Sequence, residues 1–234
     1  MSSIAISNRP QTAEKLRAVV FDLDGVLIHS APCHRAAFVQ VLDEFGIKDF
    51  EYSRFAGWRT RDVIECVLAE ANVTASADVI AAASAEKSRL ARDMMASAQP
   101  IADGCTEVLQ QLYDNGLVLA LASSGSAESV GAFLQATGTR RFFRSVLTGG
   151  DVRNAKPDPE IYSQTFAAIE MKGSDCLVVE DAVAGVKAAL GAGSSAIGIA
   201  GTCSLQDLLD AGALDVLGRL RDLPAWIESN GRNK

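Results

Sequence analysis

The sequence predicts an α/β fold, in which a doubly wound parallel sheet carries an inserted α-helical cap domain. Short apolar runs bounded by Gly, Ser or Asp recur along the chain, and helical patterns alternate with them. Such runs are typical of buried parallel strands. Their alternation with helices favours a doubly wound sheet. One long segment after the first run has helical patterns alone, which indicates the insertion.

The first apolar run, residues 19–21, is followed directly by Asp22-Leu23-Asp24-Gly25. Ligands bind at the carboxyl ends of strands in open α/β sheets, so these carboxylates lie where a functional site is expected. If strand geometry continues, the side chains of Asp22 and Asp24 point to the same face. Two close carboxylates away from water are unfavourable without a cation. On these residues alone, an acidic turn that caps the next helix is the alternative.

The inserted segment covers residues 32–98, where apolar side chains recur at helical spacing. We expect a helical cap here, joined by hinges at residues 29–32 and 96–104 to a discontinuous core of residues 16–31 and 99–228. An insertion at the carboxyl end of the first strand would lie over the ligand-binding edge as a lid. Residues 1–15 and 229–234 are expected to be flexible tails.

After the cap, four further apolar runs predict strands at residues 117–122, 145–147, 176–179 and 196–199. Polar motifs follow the first three runs: Ser123-Ser124, Lys156-Pro157 and Glu180-Asp181. Hydroxyl and N–H groups near a helix N-terminus can hold a phosphate, and paired carboxylates offer oxygen ligands to Mg²⁺. Each motif alone also has a structural explanation, as a turn, a surface lysine or a helix cap.

Together and in this order, these motifs resemble the four sequence motifs of the haloacid dehalogenase superfamily. Residues 156–162 (KPDPEIY) and 179–185 (VEDAVAG) are similar to the branch that contains β-phosphoglucomutase and many small-molecule phosphatases. The resemblance extends from Leu16 to about Val216. It implies a Rossmann-like core with a helical cap, and an enzyme that acts on phosphoric monoesters.

The resemblance implies catalytic roles for four residues and a structural role for one glycine. Asp22 would be the nucleophile that forms an aspartyl-phosphate, and Asp24 would act first as an acid and then as a base. Ser123 and Lys156 would hold the phosphoryl oxygens and balance their charge. Gly25 would permit a tight turn beside the phosphate.

The resemblance also implies a Mg²⁺ site. Asp22, the main-chain carbonyl of Asp24 and Asp181 would hold the ion, with Glu180 as a direct or indirect contributor. Dehalogenases of the superfamily lack the second aspartate. The presence of Asp24 therefore favours phosphoryl chemistry over halide displacement.

Further substrate contacts are predicted at Gly25, Ser124, His34, Arg59, Arg61 and Lys87. His34 lies early in the first cap helix, where related enzymes place a histidine near the catalytic acid; a helix-surface histidine is the alternative. Arg59 and Arg61 lie in the loop that selects the substrate in relatives, and a solvated basic turn is the alternative. Lys87 falls near a position that some relatives use to contact the substrate.

Composition limits the partners and the location. The chain has 234 residues and a net charge of −7, which disfavours nucleic acid and anionic membranes as partners. No run is long enough to span a membrane, and the first 14 residues lack the apolar stretch of a signal peptide. Five scattered cysteines without a CxxC spacing indicate reduced thiols, so we expect a cytoplasmic monomer.

These observations predict a Mg²⁺-dependent phosphatase that hydrolyses a small phosphorylated metabolite, for which a phosphosugar is expected. A β-phosphoglucomutase-like phosphosugar mutase is the first alternative, because it would share the catalytic residues. His29 stands where this branch usually has an acidic residue, and it separates the two only weakly. A catalytically silent binding or regulatory protein is the second alternative, and it would be expected to lack at least one motif residue.

Overall fold

The computed structural model describes residues 16–230, which form a parallel sheet with helices on both faces. Its elements are β1 Ala18–Phe21, α1 Ala31–Asp43, α2 Thr60–Glu70, α3 Ala77–Ala98, α4 Cys105–Asp114, β2 Val118–Ala122, α5 Ala127–Thr137, β3 Phe143–Leu147, α6 Glu160–Ala168, β4 Cys176–Glu180, α7 Val183–Gly191, β5 Ser195–Ile199, α8 Leu205–Asp210, β6 Val216–Leu217 and α9 Leu223–Asn230. The predicted tails at 1–15 and 231–234 lie outside the described residues. Residues 229 and 230 belong to α9, so the core extends two residues beyond its predicted limit.

The strands are parallel and have the spatial order β3-β2-β1-β4-β5-β6. This order reverses direction at β1 and β4, the position where doubly wound sheets bind ligands. Phe21 lies opposite Leu121 in β2 and Val179 in β4. The residues that follow these three strands therefore reach the same edge of the sheet at the same level. The predicted fold class is confirmed.

The central strand β1 is buried on both faces. Val19 and Phe21 pack into the apolar layer that contains side chains of α4, α5 and α9. Ala18 and Val20 point the other way, into the layer that contains side chains of α6 and α7. This burial explains why the sequence of β1 is continuously apolar and does not alternate.

Two strands differ from their sequence predictions by more than one residue. β3 begins at Phe143, two residues before the predicted run. β6 was missed because it has only two half-buried residues and pairs with β5 alone at the edge of the sheet. A strand this short leaves no apolar run in the sequence.

Helices α1, α2 and α3 fill the segment between Ala31 and Ala98, where the structure has no strand. Their apolar side chains form a cluster of their own, which includes Phe38, Leu42, Val63 and Ile64. The two connections to the core run side by side, since the N–H of His29 donates to the carbonyl of Pro100 at 2.7 Å. We therefore retain residues 32–98 as the proposed cap. No helix between residues 16 and 230 is long and apolar enough to cross a membrane.

Candidate active site

A buried lysine joins two carboxylates at the carboxyl edge of the sheet. Nζ of Lys156 donates to Oδ1 of Asp22 at 2.6 Å and to Oε1 of Glu180 at 2.7 Å. The Lys156 side chain has no exposed surface, so its interpretation as a surface lysine is wrong. Burial alone would lower the pKa of Lys156, but the charges of Asp22 and Glu180 hold it well above its usual range. Lys156 is therefore a fixed cation beside Asp22.

Three buried carboxylates converge next to this lysine. Asp22, Glu180 and Asp181 offer oxygen atoms that all lie within 4.8 Å of one another. Burial, and then the charges of Glu180 and Asp24, raise the pKa of Asp22 to about 8, although Lys156 opposes the shift. Burial, and then the charges of Glu180 and Asp22, raise the pKa of Asp181. In their ionised forms the three carboxylates and Lys156 leave two negative charges, and a divalent cation fits this charge and oxygen donor set.

The oxygen atoms of Glu180 already have partners in the protein. Oε1 accepts hydrogen bonds from Lys156 and from the hydroxyl of Tyr162 at 2.5 Å, and Oε2 accepts from the main-chain N–H of Asp181 at 3.1 Å. A Cβ at Gly185 would lie 1.8 Å from Oε1 of Glu180, so the start of α7 requires glycine. These contacts fit an indirect role for Glu180 and leave Asp22 and Asp181 as the carboxylates suited to a cation.

Gly25 allows the loop after β1 to approach Asp181. Its φ is +78°, in the left-handed region that favours glycine. A Cβ at this position would lie 1.7 Å from Oδ2 of Asp181. A larger residue would therefore displace this carboxylate, which gives a structural reason for the glycine that the sequence motif contains.

Asp24 belongs to a second set of polar contacts, which leads into the cap. Oδ1 of Asp24 lies 2.8 Å from Nε2 of His34, and Nδ1 of His34 lies 2.9 Å from Nζ of Lys87. A charged lysine can only donate, so we assign Nδ1 as the acceptor and Nε2–H as the donor to Asp24. The structure thus brings His34 and Lys87, as well as Asp24, to the same site.

The pKa values of Asp24 and Lys87 are both lower than usual, but for different reasons. Burial alone would raise the pKa of Asp24, but the hydrogen bond that His34 donates and the positive charge of Lys87 hold it well below its usual range. Burial lowers the pKa of Lys87 to about 8, while Asp24 partly opposes the shift. In this arrangement Asp24 is an anion, which is the form that a general base requires.

The two serines after β2 have different partners. Ser123 is buried, and its Oγ accepts a hydrogen bond from the N–H of Gly125 at 3.0 Å. Ser124 instead donates its hydroxyl proton to the carbonyl of Gly57 in the cap, at 2.7 Å. Ser123 therefore lies at the catalytic edge, whereas Ser124 connects the core to the cap.

The two cap arginines that the sequence predicts as substrate ligands lie in different surroundings. Nη1 and Nη2 of Arg59 donate to the main-chain carbonyls of Val152 and Arg153 in the core, at 3.2 and 2.8 Å. Arg61 is exposed and donates to Glu65, one turn along α2, at 2.7 Å. The structure brings Arg59 to the boundary between cap and core, but it does not bring Arg61 to the site.

Sequence reasoning missed two tyrosines. Tyr162 bonds Glu180 and has its ring centroid 4.8 Å from Nζ of Lys156. Its position in a helix among buried residues could have been a signal, since a buried tyrosine needs a partner for its hydroxyl. Tyr52 stacks on His34 with 6.3 Å between ring centroids and lines a cavity of about 930 Å³. Tyr52 lies in a short turn without periodicity, and no sequence pattern marks it.

This arrangement defines an enzyme with a carboxylate paired to a buried lysine at the edge of a doubly wound sheet, covered by a helical cap. The model of the haloacid dehalogenase-like hydrolase family matches residues 16–193. The chain belongs to this family of hydrolases, which confirms the predicted family and the prediction that the chain is an enzyme.

Relatives along nearly the whole chain agree with this assignment. A validoxylamine A 7'-phosphate phosphatase from Streptomyces hygroscopicus subsp. limoneus is 32% identical over 88% of this chain and 94% of its own length. A phosphorylated carbohydrates phosphatase from Thermotoga maritima is 28% identical over 85% of this chain and 93% of its own length. The crystal structure of a β-phosphoglucomutase from Clostridium difficile superimposes with a TM-score of 0.82 at 22% identity, covering 92% of this chain and 97% of that one, and shows the shared fold.

Proposed function

We propose that the protein is a Mg²⁺-dependent phosphatase that hydrolyses a small phosphorylated metabolite, with a phosphosugar as the expected class, through an aspartyl-phosphate at Asp22. The buried contact between Asp22 and Lys156, next to Asp181 at the carboxyl edge of the sheet, carries this proposal. The relatives named phosphatases support action on phosphate esters.

The reaction has two transfers at one phosphorus atom. A carboxylate oxygen of Asp22 attacks the phosphorus while the bond to the ester oxygen breaks, and Asp24 gives its proton to the departing alcohol. In the second transfer Asp24 takes a proton from water, whose oxygen attacks the phosphorus and releases phosphate from Asp22. The water proton thus replaces the one that Asp24 gave to the alcohol, so the cycle returns both aspartates to their starting forms.

The residues that surround Asp22 supply charge rather than covalent chemistry. Lys156 lies against Asp22 and, with Ser123, is positioned to hold phosphoryl oxygens. Asp22, Asp181 and the main-chain carbonyl of Asp24 would hold Mg²⁺. The ion, when bound, supplies positive charge that favours ionised carboxylates and balances the charge of the phosphoryl group. Glu180 supports the site by holding Lys156 and not by direct contact with the ion.

His34 and Lys87 couple the acid–base group to closure of the cap. Both belong to the cap, whereas Asp24 belongs to the core, so Asp24 is oriented by His34 only while the cap is docked. The negative charge of an incoming phosphate raises the pKa of a neighbouring carboxyl, and this favours the protonated form that the first transfer needs. Proton transfer is thereby confined to the closed state, from which bulk water is excluded.

The test is phosphate release from a panel of phosphate esters, with Mg²⁺ and with excess chelator, while substrate loss is followed in parallel. We expect Mg²⁺-dependent release that matches substrate loss and falls by at least about a thousandfold in Asp22→Asn. Asp114→Asn, an exposed aspartate at the end of α4, is the matched control.

Three outcomes would contradict the proposal. Phosphate release that survives in Asp22→Asn would exclude the nucleophile. Substrate loss without released phosphate would indicate the mutase, which transfers the phosphate to a second hydroxyl of the substrate. Binding of phosphate without turnover of any ester would indicate the silent binding protein.

A further inference from the structure

A fully buried tyrosine lies beside the proposed catalytic groups, although the two phosphoryl transfers do not use it. Tyr162 belongs to α6 and has no exposed surface. Its ring lies in the apolar layer that contains side chains of α6 and α7. A phenylalanine would fill this layer without burying a polar hydroxyl, and a buried hydroxyl is unfavourable unless it has a partner. The role of this tyrosine is therefore sought in the hydrogen bond that its hydroxyl makes.

The carboxylate of Glu180 accepts hydrogen bonds from several donors, which share its negative charge. Oε1 accepts from the hydroxyl of Tyr162 at 2.5 Å and from Nζ of Lys156 at 2.7 Å. Oε2 accepts from the main-chain N–H of Asp181 at 3.1 Å. Since the hydroxyl proton of Tyr162 and the ammonium of Lys156 meet at the same oxygen atom, each weakens the attraction of that atom for the other.

Lys156 has acceptors of its own in the protein, and a phosphoryl oxygen has to compete with them. Its Nζ donates to Oδ1 of Asp22 at 2.6 Å, to Glu180, and to the main-chain carbonyl of Ala122 at 3.3 Å. A lysine ammonium has three protons, so each proton already has an acceptor. The strength of the contact with Glu180 therefore influences how much of the charge of Lys156 is left for a phosphoryl group.

We propose that Tyr162 is a positioning residue, whose hydroxyl limits the hold of Glu180 on Lys156 and so keeps this cation available to the phosphoryl group. The inference rests on the proposed function, in which Lys156 holds a phosphoryl oxygen. Tyr162 also provides Oε1 of Glu180 with a donor while Lys156 shares its protons with the phosphoryl group. The buried carboxylate then keeps a partner in the free and in the phosphate-bound protein, which avoids the cost of an unsatisfied acceptor.

The first test measures the dissociation constant of inorganic phosphate by isothermal titration calorimetry of the full chain in the presence of Mg²⁺. Tyr162→Phe keeps the ring, whose centroid is 4.8 Å from Nζ of Lys156, and removes the hydroxyl alone. We expect the dissociation constant to rise by about tenfold, because Glu180 loses a donor and attracts Lys156 more strongly.

Thr165→Val is the matched control for this variant. It also removes a buried hydroxyl from α6, but that hydroxyl donates to the carbonyl of Ile161 at 2.7 Å, within the helix. Its dissociation constant for phosphate should stay within about twofold of the wild type. An unchanged constant in folded Tyr162→Phe, or an equal rise in both variants, would overturn the inference.

A double-mutant cycle tests whether Tyr162 acts through Glu180. Glu180→Gln removes the negative charge that the hydroxyl of Tyr162 moderates, so adding Tyr162→Phe in this background should raise the dissociation constant by less than about twofold. An equal rise in both backgrounds would overturn the inference. If Glu180→Gln does not fold, the comparison of Tyr162→Phe with Thr165→Val still decides.

Hydrolysis of p-nitrophenyl phosphate separates this inference from the proposed function. Turnover that depends on Asp22, together with an unchanged phosphate constant in Tyr162→Phe, would preserve the function and overturn the role of Tyr162. The expected changes in phosphate binding without turnover of any ester would support the role of Tyr162 in phosphate binding and remove the phosphatase. A wild-type protein that does not bind phosphate would overturn both.

Discussion

Lys87 is a buried cation. Its burial lowers the stability of the fold, whereas its contact with Nδ1 of His34 supports the proposed function. Burial lowers its pKa from 10.5 to about 8, and its Nζ lies 4.0 Å from the centroid of the Phe38 ring. A shift of this size corresponds to a cost of about 3 kcal/mol for the charged form. We therefore expect Lys87→Met, which keeps most of the volume, to raise the free energy of unfolding at pH 7 by about 1–3 kcal/mol in urea titrations. The same variant should lower kcat, because His34 loses the donor to its Nδ1.

The pH dependence of this effect has a definite sign. Because the pKa of Lys87 is lower in the folded protein than in the unfolded chain, the unfolded chain holds more protons between about pH 8 and 10.5. Lys87 therefore makes wild-type stability rise through this interval, and the advantage of Lys87→Met should shrink as the pH rises. Lys48→Met, at an exposed cap lysine, is the control. An advantage that stays constant from pH 7 to pH 10 would contradict the assignment.

The sequence predicted which residues lie at the carboxyl ends of the strands better than it predicted which cap residues contact them. Asp22 and Asp181 were predictable because a motif next to an apolar run fixes the edge of the sheet at which its residues lie, whereas Lys156, which a loop separates from β3, was predicted from the family resemblance. The contact of Ser124 with Gly57 was not predictable, since it joins segments 67 positions apart and depends on how the cap is docked. No sequence motif or periodicity around Tyr52 predicted its contact with His34.

Arg59 and Arg61 are close in sequence, but their different positions relative to the start of α2 give them different contacts. Arg59 is the residue before α2, with an extended backbone, and its side chain reaches the core. Arg61 lies in the first turn of α2 and pairs with Glu65 on an exposed face. Two arginines of one loop were indistinguishable in the sequence because the start of a helix cannot be fixed to a single residue from the pattern.

We expect Arg59→Gln to weaken the docking of the cap. The variant loses hydrogen bonds from a charged donor to two core carbonyls, so the open state becomes more populated. KM should rise several-fold, about three- to tenfold, and the radius of gyration in small-angle scattering should increase. Arg61→Gln, in the first turn of α2, is the control, and its KM should stay within about twofold of the wild type. An equal rise in both variants would support the sequence prediction that both arginines contact the substrate.

Among residues 16–230, the buried apolar side chains of the cap and of the core form separate clusters, although Met95 near the end of α3 packs against the core. The cap cluster, which includes Leu42, has no residue in common with the two clusters that sandwich the sheet. The sequence predicted this separation, because the helical periodicity of residues 32–98 gives several helices with apolar faces. These faces become buried when the helices pack against one another. It explains how a cap can move on its hinges while each part keeps its own interior.

This separation predicts that core substitutions act locally. Leu42 in the cap and Leu109 in α4 are both fully buried, so each change to alanine should cost its own part about 2–5 kcal/mol. By hydrogen exchange with mass spectrometry, Leu42→Ala should speed exchange in α1, α2 and α3 and leave the strands unchanged, whereas Leu109→Ala should act on the core. Equal acceleration throughout the chain in both variants would show that cap and core unfold as one unit.

The two variants should also differ in function at a temperature where both stay folded. Leu42→Ala loosens the helix that carries His34, so kcat should fall while inhibition by inorganic phosphate, which needs only the core groups Ser123 and Lys156, keeps its constant. Leu109→Ala is the matched change in the core. If Leu42→Ala weakened inhibition by phosphate as much as it lowered kcat, the cap would take part in binding the phosphoryl group itself, and the assignment of that group to the carboxyl edge of the sheet would be wrong.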